Sequence, residues 1–291
     1  TLLATRAPLV IAPAMNTNMY ENPVVQQNMR ILANRGAHFV EPASGRLACG
    51  AVGRGKLADP AGICEAILDA AAVRDLAGLR VLVTAGPTQE ALDPVRFLSN
   101  HSTGKMGYAI AEAARRRGAE VTLVTGPTAL PVPVGVRAVP VVSAREMYDA
   151  VLAALPEQDF VIKAAAVGDY RPAEAAPDKL KKKNADMTLT LVRNPDILKA
   201  VGERKRPGQI VCGFSMETRD LLENSAAKLE SKNCDFMIAN NLKTAGAGFG
   251  TDTNVVTVLR RGAVPEQLPI QSKATLADGI LDRLLAAWDA R

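Results

Sequence analysis

The sequence predicts an α/β protein built on a doubly wound, mostly parallel sheet. Short apolar runs of strand length recur along the chain: Val81-Leu82-Val83, Val121-Thr122-Leu123-Val124, Phe160-Val161-Ile162, Ile210-Val211-Cys212 and Phe236-Met237-Ile238. Such runs suit strands covered on both faces. Between the first two, Met106, Ala109, Ile110, Ala113 and Ala114 share one face of a helical pattern, and strand, helix, strand at this spacing makes a right-handed βαβ unit. Aromatic residues are only 4% while Ala and Val are plentiful, which favours helices packed closely on a parallel sheet over a β-sandwich.

The elements follow in order. Asn22-Pro23 reads as an N-cap with Pro at the first helical position, and Gly36 stands just past the end of that helix. The Ala-rich stretch Ala66 to Ala77 reads as a helix end and linker, followed by Gly78 and a new strand from Arg80. The helix after that strand ends at Arg115-Arg116-Arg117-Gly118, cations at the negative end of the dipole and a glycine for the left-handed cap. An alternating strand is expected over Met187–Val192, with Asn194-Pro195-Asp196-Ile197 starting the next helix. Leu276, Ile280, Leu281, Leu284, Leu285 and Trp288 form one stripe of a closing helix. At 291 residues the chain suits two domains, expected at 1–75 and 76–291.

Composition narrows the function. With 48% hydrophobic and 22% charged residues the chain is not a disordered one. No run approaches the roughly 18 apolar residues of a membrane span. Thirty-five basic against 30 acidic residues leave a net charge of +5, suited to an anionic small molecule or to nucleic acid. Cys49, Cys64, Cys212 and Cys234 lack C-x-x-C spacing, so neither a disulfide framework nor a zinc site is expected, and a reducing cytoplasm is. The opening TLLATRAPLVIAP does not read as a signal peptide, so none is expected, and with no initial Met residue 1 is not expected to be the natural start.

Chemistry-bearing residues gather after the strands. The segment TAGPTQEALDPVRFLSNHSTGKMGYAIA contains neither a G-x-G-x-x-G, since Gly86 is followed by Pro87 with no second or third Gly in place, nor a Walker A loop. Ser99 to Lys105 instead form a hydroxyl-rich turn into a helix N-terminus, either a phosphate or carboxylate site or a plain cap. Lys163-Ala164-Ala165-Ala166 lets a ligand approach backbone at a strand's carboxyl end, and Asp169 follows. A Pro/Ala-rich loop then carries Lys179, Lys181, Lys182 and Lys183, an anion-gripping lid or a solvated surface. Phe214 ends another strand, fit for base stacking or for packing. Lys228 and Lys232 share a helix face with no acidic partner evident in the sequence.

SNHSTGKMG, AAAVGDYRP, the K-L-K-K-K run, NPDI, GFSMET and Lys228/Lys232 together resemble the phosphopantothenate–cysteine ligase domain of bacterial bifunctional coenzyme A biosynthesis proteins. The resemblance covers roughly 76–291 and implies a Rossmann-like domain. Residues 1–75 resemble the C-terminal part of the fused flavin-dependent phosphopantothenoylcysteine decarboxylase, a flavodoxin-like α/β segment. There PAMNTNMY matches a substrate clamp with Asn16 holding carboxylate, and Leu47-Ala48-Cys49-Gly50 matches the proton-donor segment with Cys49 as donor. Two departures stand out: Ala51 replaces the family's usual acidic residue, and the decarboxylase's N-terminal half, with its flavin-phosphate loop and catalytic His, is expected to be missing. Only His38 and His101 occur.

The resemblance implies attack of the 4′-phosphopantothenate carboxylate on the α-phosphate of CTP, an acyl-cytidylate, and displacement of CMP by cysteine, with Mg²⁺ and preplaced cations stabilising the phosphates. It implies nucleotide contacts from Lys163, Ala164, Ala165, Asp169, Lys179, Asn194, Pro195, Asp196, Ile197, Phe214, Lys228 and Lys232, and catalytic roles for Lys179 and Asn100. FMN would serve the full-length decarboxylase. Small-molecule substrates are the expected partners, with neither nucleic acid nor membrane. A homodimer through the ligase domain is expected, enlarging to a higher homo-oligomer with a complete decarboxylase. From residues alone, a nicotinamide oxidoreductase and a nucleic-acid binder using Arg115–Arg117 and Lys179–Lys183 stay open, and CTP is not distinguished from ATP.

Overall fold

The computed structural model describes residues 4–48, 50–181, 187–217, 220–241, 248 and 250–291, Asn241 through its backbone. The chain divides into two compact units, Thr1–Val73 and Arg74–Arg291.

In the first unit β1 (Val10–Ile11) pairs in parallel with β2 (His38–Phe39), and β3 (Ala43–Arg46) pairs antiparallel with β4 (Val52–Lys56). The short α1 (Thr17–Tyr20) leads into α2 (Pro23–Asn34), and α3 (Pro60–Ala71) follows β4. Asn22 caps α2 by accepting from the Val24 N–H, and Asp59 caps α3 from the Ala61 N–H, each followed by Pro at the first helical position. Tyr20 is buried, donates its O–H to Glu41 at 2.8 Å and lies under the Arg54 guanidinium.

The second unit opens with β5 (Arg80–Ala85), followed by a hairpin of β6 (Gln89–Ala91) and β7 (Phe97–Ser99). Then come α4 (Lys105–Arg116), β8 (Glu120–Thr125), β9 (Arg137–Pro140), α5 (Ala144–Ala154) and β10 (Phe160–Lys163). A ribbon of β11 (Tyr170–Pro172) and β12 (Leu191–Arg193) precedes α6 (Ile197–Arg204), β13 (Ile210–Glu217), α7 (Leu221–Ser231) and β14 (Phe236–Asn241). The chain closes with β15 (Thr253–Arg260), β16 (Glu266–Ser272) and α8 (Lys273–Asp289). Eight strands form one sheet in the order β16-β15-β14-β13-β10-β5-β8-β9. All pairings from β14 to β9 are parallel, and β15 is antiparallel to both its neighbours.

Alternation along the strands builds two cores. Val81 and Val83 of β5 join Ile110, Ala114, Leu276, Ile280 and Leu284 of α4 and α8 on one face. Leu82 joins Met147, Val151, Ile197, Val201 and Leu229 of α5, α6 and α7 on the other. The sheet is therefore wound on both sides. Its chain begins at the centre with β5, moves outward through β8 and β9, then returns to start again at β10, so the order reverses between β5 and β10.

Two local expectations change. The strand foreseen over 187–192 is only Leu191–Arg193, because its partner β11 ends at Pro172, which has no N–H; one further bond, from Ala173 N to Thr190 O, closes the ribbon. The cap of α6 is Asp196, accepting from Lys199 N at 2.9 Å, since Asn194 donates to Gly168 O and accepts from Arg171 instead.

Helix α4 meets β5 through Gly107, where a Cβ would stand 2.6 Å from Ala85 Cβ and 2.9 Å from Thr84 O. Gly107→Ala should lower stability by about 1–3 kcal/mol through overpacking. Gly279→Ala, in α8 beside only the flexible end of Arg283, should be neutral or stabilising. Chemical-denaturation midpoints of both variants check this.

Candidate functional site

The order reversal leaves a crevice at the carboxyl ends of the central strands. Past the last β5–β10 pair, Thr84 with Lys163, the two chains stay tied. Thr84 Oγ1 accepts from Ala165 N at 3.1 Å, Ala166 N donates to Gly86 O at 2.9 Å, and Thr88 Oγ1 accepts from Gly168 N at 2.9 Å. Asn100 Nδ2 donates to Ala166 O at 2.9 Å, drawing the end of the β6–β7 hairpin to the same edge.

Two neighbouring cavities open there. The smaller, about 240 Å³, lies between residues 102–107, 163–167 and 214–216, with Asn240, Asn254 and Lys273 on its far wall. Gly104 enters α4 in the left-handed conformation (φ 80°) and has no side chain to cap the helix, while the Ser102 hydroxyl accepts from the Gly104 N–H at 3.3 Å. The first N–H groups of α4 and its positive dipole end are thus left for an anion. The glycine-rich fingerprint absent as a contiguous motif is present in space. Gly86 (φ 75°) makes the turn after β5, Gly104 packs on it with a would-be Cβ 3.3 Å from Gly86 N, and Gly107 lets helix and strand touch. The hairpin inserted between Gly86 and Gly104 hides that set from a linear reading.

The larger cavity, about 590 Å³, falls within the range of small-ligand sites. It brings together Lys163, Asp169, Asn194, Pro195, Asp196, Ile197, Phe214, Lys228 and Lys232, and adds Arg193, Tyr170 and Lys199. Lys163, Val167 and Phe214 line both cavities. The lysines of α7 do have acidic partners, from other elements: Lys228 Nζ meets Glu217 Oε1 of β13 at 2.6 Å, and Lys232 pairs with Asp196. Gly202 makes the second pair possible, because a Cβ there would collide with Lys232 O at 1.9 Å. Desolvation pushes the Lys163 amine down to about 8, against the opposing pull of Asp196 and Asp169. The Asp196 carboxyl is lowered: burial opposes ionisation, but the Lys232 and Lys199 hydrogen bonds outweigh it.

Ala164 and Ala165 line the smaller cavity. Lys179 is exposed on the 173–181 loop and lines neither. Lys182 and Lys183 lie outside the described residues, as does Cys49. Asn16, in the other unit, caps α1 by accepting from Asn18 N at 2.8 Å. Sequence reading missed Asn240 and Lys273. Asn240 is buried and its Oδ1 has no hydrogen-bond partner among the described residues. Lys273 is buried, donates to Gly248 O and Thr251 O, and is pushed down by desolvation. The only signal for Asn240 is that an apolar strand ends in Asn240-Asn241.

Among the described residues no three His, Cys, Asp or Glu side chains cluster to hold a metal, and no helix is long and apolar enough to cross a membrane.

Residues 76–287 match the family described as DNA/pantothenate metabolism flavoprotein C-terminal domain, and residues 1–72 match the family described as Flavoprotein. The coenzyme A biosynthesis bifunctional protein CoaBC of Bacillus subtilis (strain 168) is 47% identical over 290 residues, 98% of this chain and 71% of that protein. Its namesake in Escherichia coli (strain K12) is 42% identical over 293 residues, 99% and 72% respectively. A crystal structure of the C-terminal domain of a coenzyme A biosynthesis bifunctional protein CoaBC superposes with a TM-score of 0.65 at 41% identity, covering 75% of this chain and all of that domain.

An anion in the larger cavity should bind more tightly while Lys163 is protonated, so affinity for inorganic pyrophosphate is expected to weaken as pH rises through about 8. Lys163→Met should flatten the profile to that of the ligand's own titration. Calorimetric titrations between pH 6.5 and 9.5 on both proteins read the difference.

Proposed function

The chain belongs to the DNA/pantothenate metabolism flavoprotein family, and on that footing we propose that residues 76–291 join cysteine to 4′-phosphopantothenate, driven by CTP, in coenzyme A biosynthesis. The observation that carries this is the convergence of Lys163, Lys228, Lys232 and Phe214 on one cavity at the order reversal of the sheet, beside an uncapped helix N-terminus.

A carboxylate does not react with an amine at neutral pH because it is a stabilised anion without a leaving group. In the proposed reaction its oxygen attacks the α-phosphorus of CTP, the bond to pyrophosphate breaks, and an acyl-cytidylate results. The amine nitrogen then bonds to the acyl carbon, CMP leaves with the electron pair, and the nitrogen sheds its proton. Negative charge spreads over the phosphates as they separate, so cations already in place do most of the work. Glu217 and Asp196 hold Lys228 and Lys232 before any ligand arrives. Phe214 offers its ring to a base, and Ala164 and Ala165 let the nucleotide approach backbone. The Asn100 amide, tied to Ala166 O, would hold the phosphopantothenate side without adding charge. Lys179 would reach the triphosphate from its loop.

Mg²⁺ rests mainly on substrate phosphates with one or two carboxylates, a demand that Asp169, exposed at the cavity mouth, can meet. When bound it would neutralise phosphate charge.

Residues 1–73 represent, in this reading, part of the FMN-dependent phosphopantothenoylcysteine decarboxylase of the bifunctional protein. Their match to a flavoprotein family supports it. Asn22 and Asp59 each accept from one N–H group at the starts of α2 and α3. A ligase homodimer in the cytoplasm completes the proposal.

Pyrophosphate release with CTP, Mg²⁺, phosphopantothenate and cysteine, omitting each in turn, tests the activity; release that persists without phosphopantothenate would refute it. Lys179→Gln should lower turnover on the order of 10²–10³-fold, as for loss of one preorganised transition-state donor. Lys183→Gln should cost far less, and equal losses would mean a diffuse electrostatic patch.

A further inference from the structure

Asp93, in the turn joining β6 to β7, has a fully buried carboxylate that the proposed ligation does not use. Its two oxygens divide their partners. Oδ1 accepts from the Val95 and Arg96 N–H groups, both at 2.8 Å, which shapes the local turn. Oδ2 accepts from Arg96 Nε at 3.0 Å and Nη2 at 2.6 Å, and from the Leu180 N–H at 3.0 Å across 87 positions of sequence. Arg96 Nη2 also donates to Leu180 O at 2.8 Å, and Ala176 N donates to Leu92 O at 2.9 Å. Residues 92–96 thus grip the 173–181 loop at two points, and Leu180 is held by both its N–H and its carbonyl.

A turn of this kind needs only one side-chain acceptor, which Asn or Ser supplies as well. Burying a full charge is costly unless the charge is satisfied, and here the second oxygen is satisfied by Arg96 together with the Leu180 N–H. The Arg96 hydrogen bonds, with those of three backbone N–H groups, hold the Asp93 carboxyl well below the usual carboxylate range despite its burial.

We propose that Asp93 is a positioning residue for the ligase reaction: through Leu180 it fixes the stem of the loop that carries Lys179. The proposal rests on the ligase activity proposed for residues 76–291. The hairpin then reaches the site from both ends, with Asn100 at the cavity edge after β7 and Asp93 at its tip.

Asp93→Asn is the direct test. Its Oδ1 preserves the turn, while its Nδ2 sets a donor against the donors of Leu180 and Arg96. Asp93→Ser, which keeps a turn acceptor but cannot reach Leu180, serves as the second variant should the first not fold. Two readouts are taken on the full chain. Hydrogen exchange should show the Leu180 amide losing protection while the β5 and β10 amides keep theirs. CTP-dependent pyrophosphate release should fall on the order of 10–10²-fold in kcat/KM, as for a displaced catalytic group. The double variant with Lys179→Gln should lose no more than Lys179→Gln alone, because Asp93 acts through that lysine. Additive losses, or an unchanged Leu180 amide, would overturn the proposal while leaving the activity standing. Absence of nucleotide-dependent release from the unaltered chain would overturn the activity, and Asp93's role with it.

Discussion

Everything at the site depends on how β5 and β10 end. Parallel neighbours at an order reversal send their following segments to opposite faces of the sheet, so no connection covers the gap between them. Left alone, their last backbone groups would face water in a widening cleft. Here short side chains close the seam: Thr84 and Thr88 accept from Ala165 and Gly168, and Asn100 takes the Ala166 carbonyl. These bonds hold the Ala-rich floor flat and fix Lys163 as the last paired residue of β10. The cavities on either side inherit their shared wall from that seam.

Around the larger cavity the cations are arranged before a ligand arrives. Lys232 and Lys228 are each held by a carboxylate from a different element, Asp196 at the start of α6 and Glu217 at the end of β13. Exposed pairs of this kind add little stability because solvent screens them. Their value is geometric: a lysine already ordered gives up less conformational freedom when a phosphate binds. Lys163 differs. Its amine is desolvated, so its charge is easily lost and gains most from an incoming anion.

The sheet was legible because each central strand is a compact apolar run flanked by helical periodicity, and all five of those runs form parallel strands of it. Residues contributed to the larger cavity from strand ends were also legible, since small and charged residues after an apolar run stand out. Pairing was not. Nothing near Lys228 or Lys232 in sequence announces Glu217 or Asp196, which topology alone brings close. The β11–β12 ribbon was misread because alternating Thr and apolar residues look like strand wherever they occur, while pairing length is set by the partner and its proline. Asn240 was invisible for the complementary reason: one polar residue ending a core strand carries no periodic signal.

The glycine set shows why a motif can be absent as a string and present as a structure. Three tasks are needed where a strand turns into a helix under an anion: a tight turn, an open helix start and close helix–strand contact. Gly86, Gly104 and Gly107 perform them, and the physics does not require the first two to be close in sequence. A closed hairpin can be inserted there because β6 and β7 pair with each other and return the chain to Gly86. The insertion then becomes an arm rooted beside the start of α4. It carries Asn100 where the second strand rejoins the helix and Asp93 at the opposite tip. A contiguous fingerprint would perform the same three tasks, but it would have no such arm to hold the 173–181 loop.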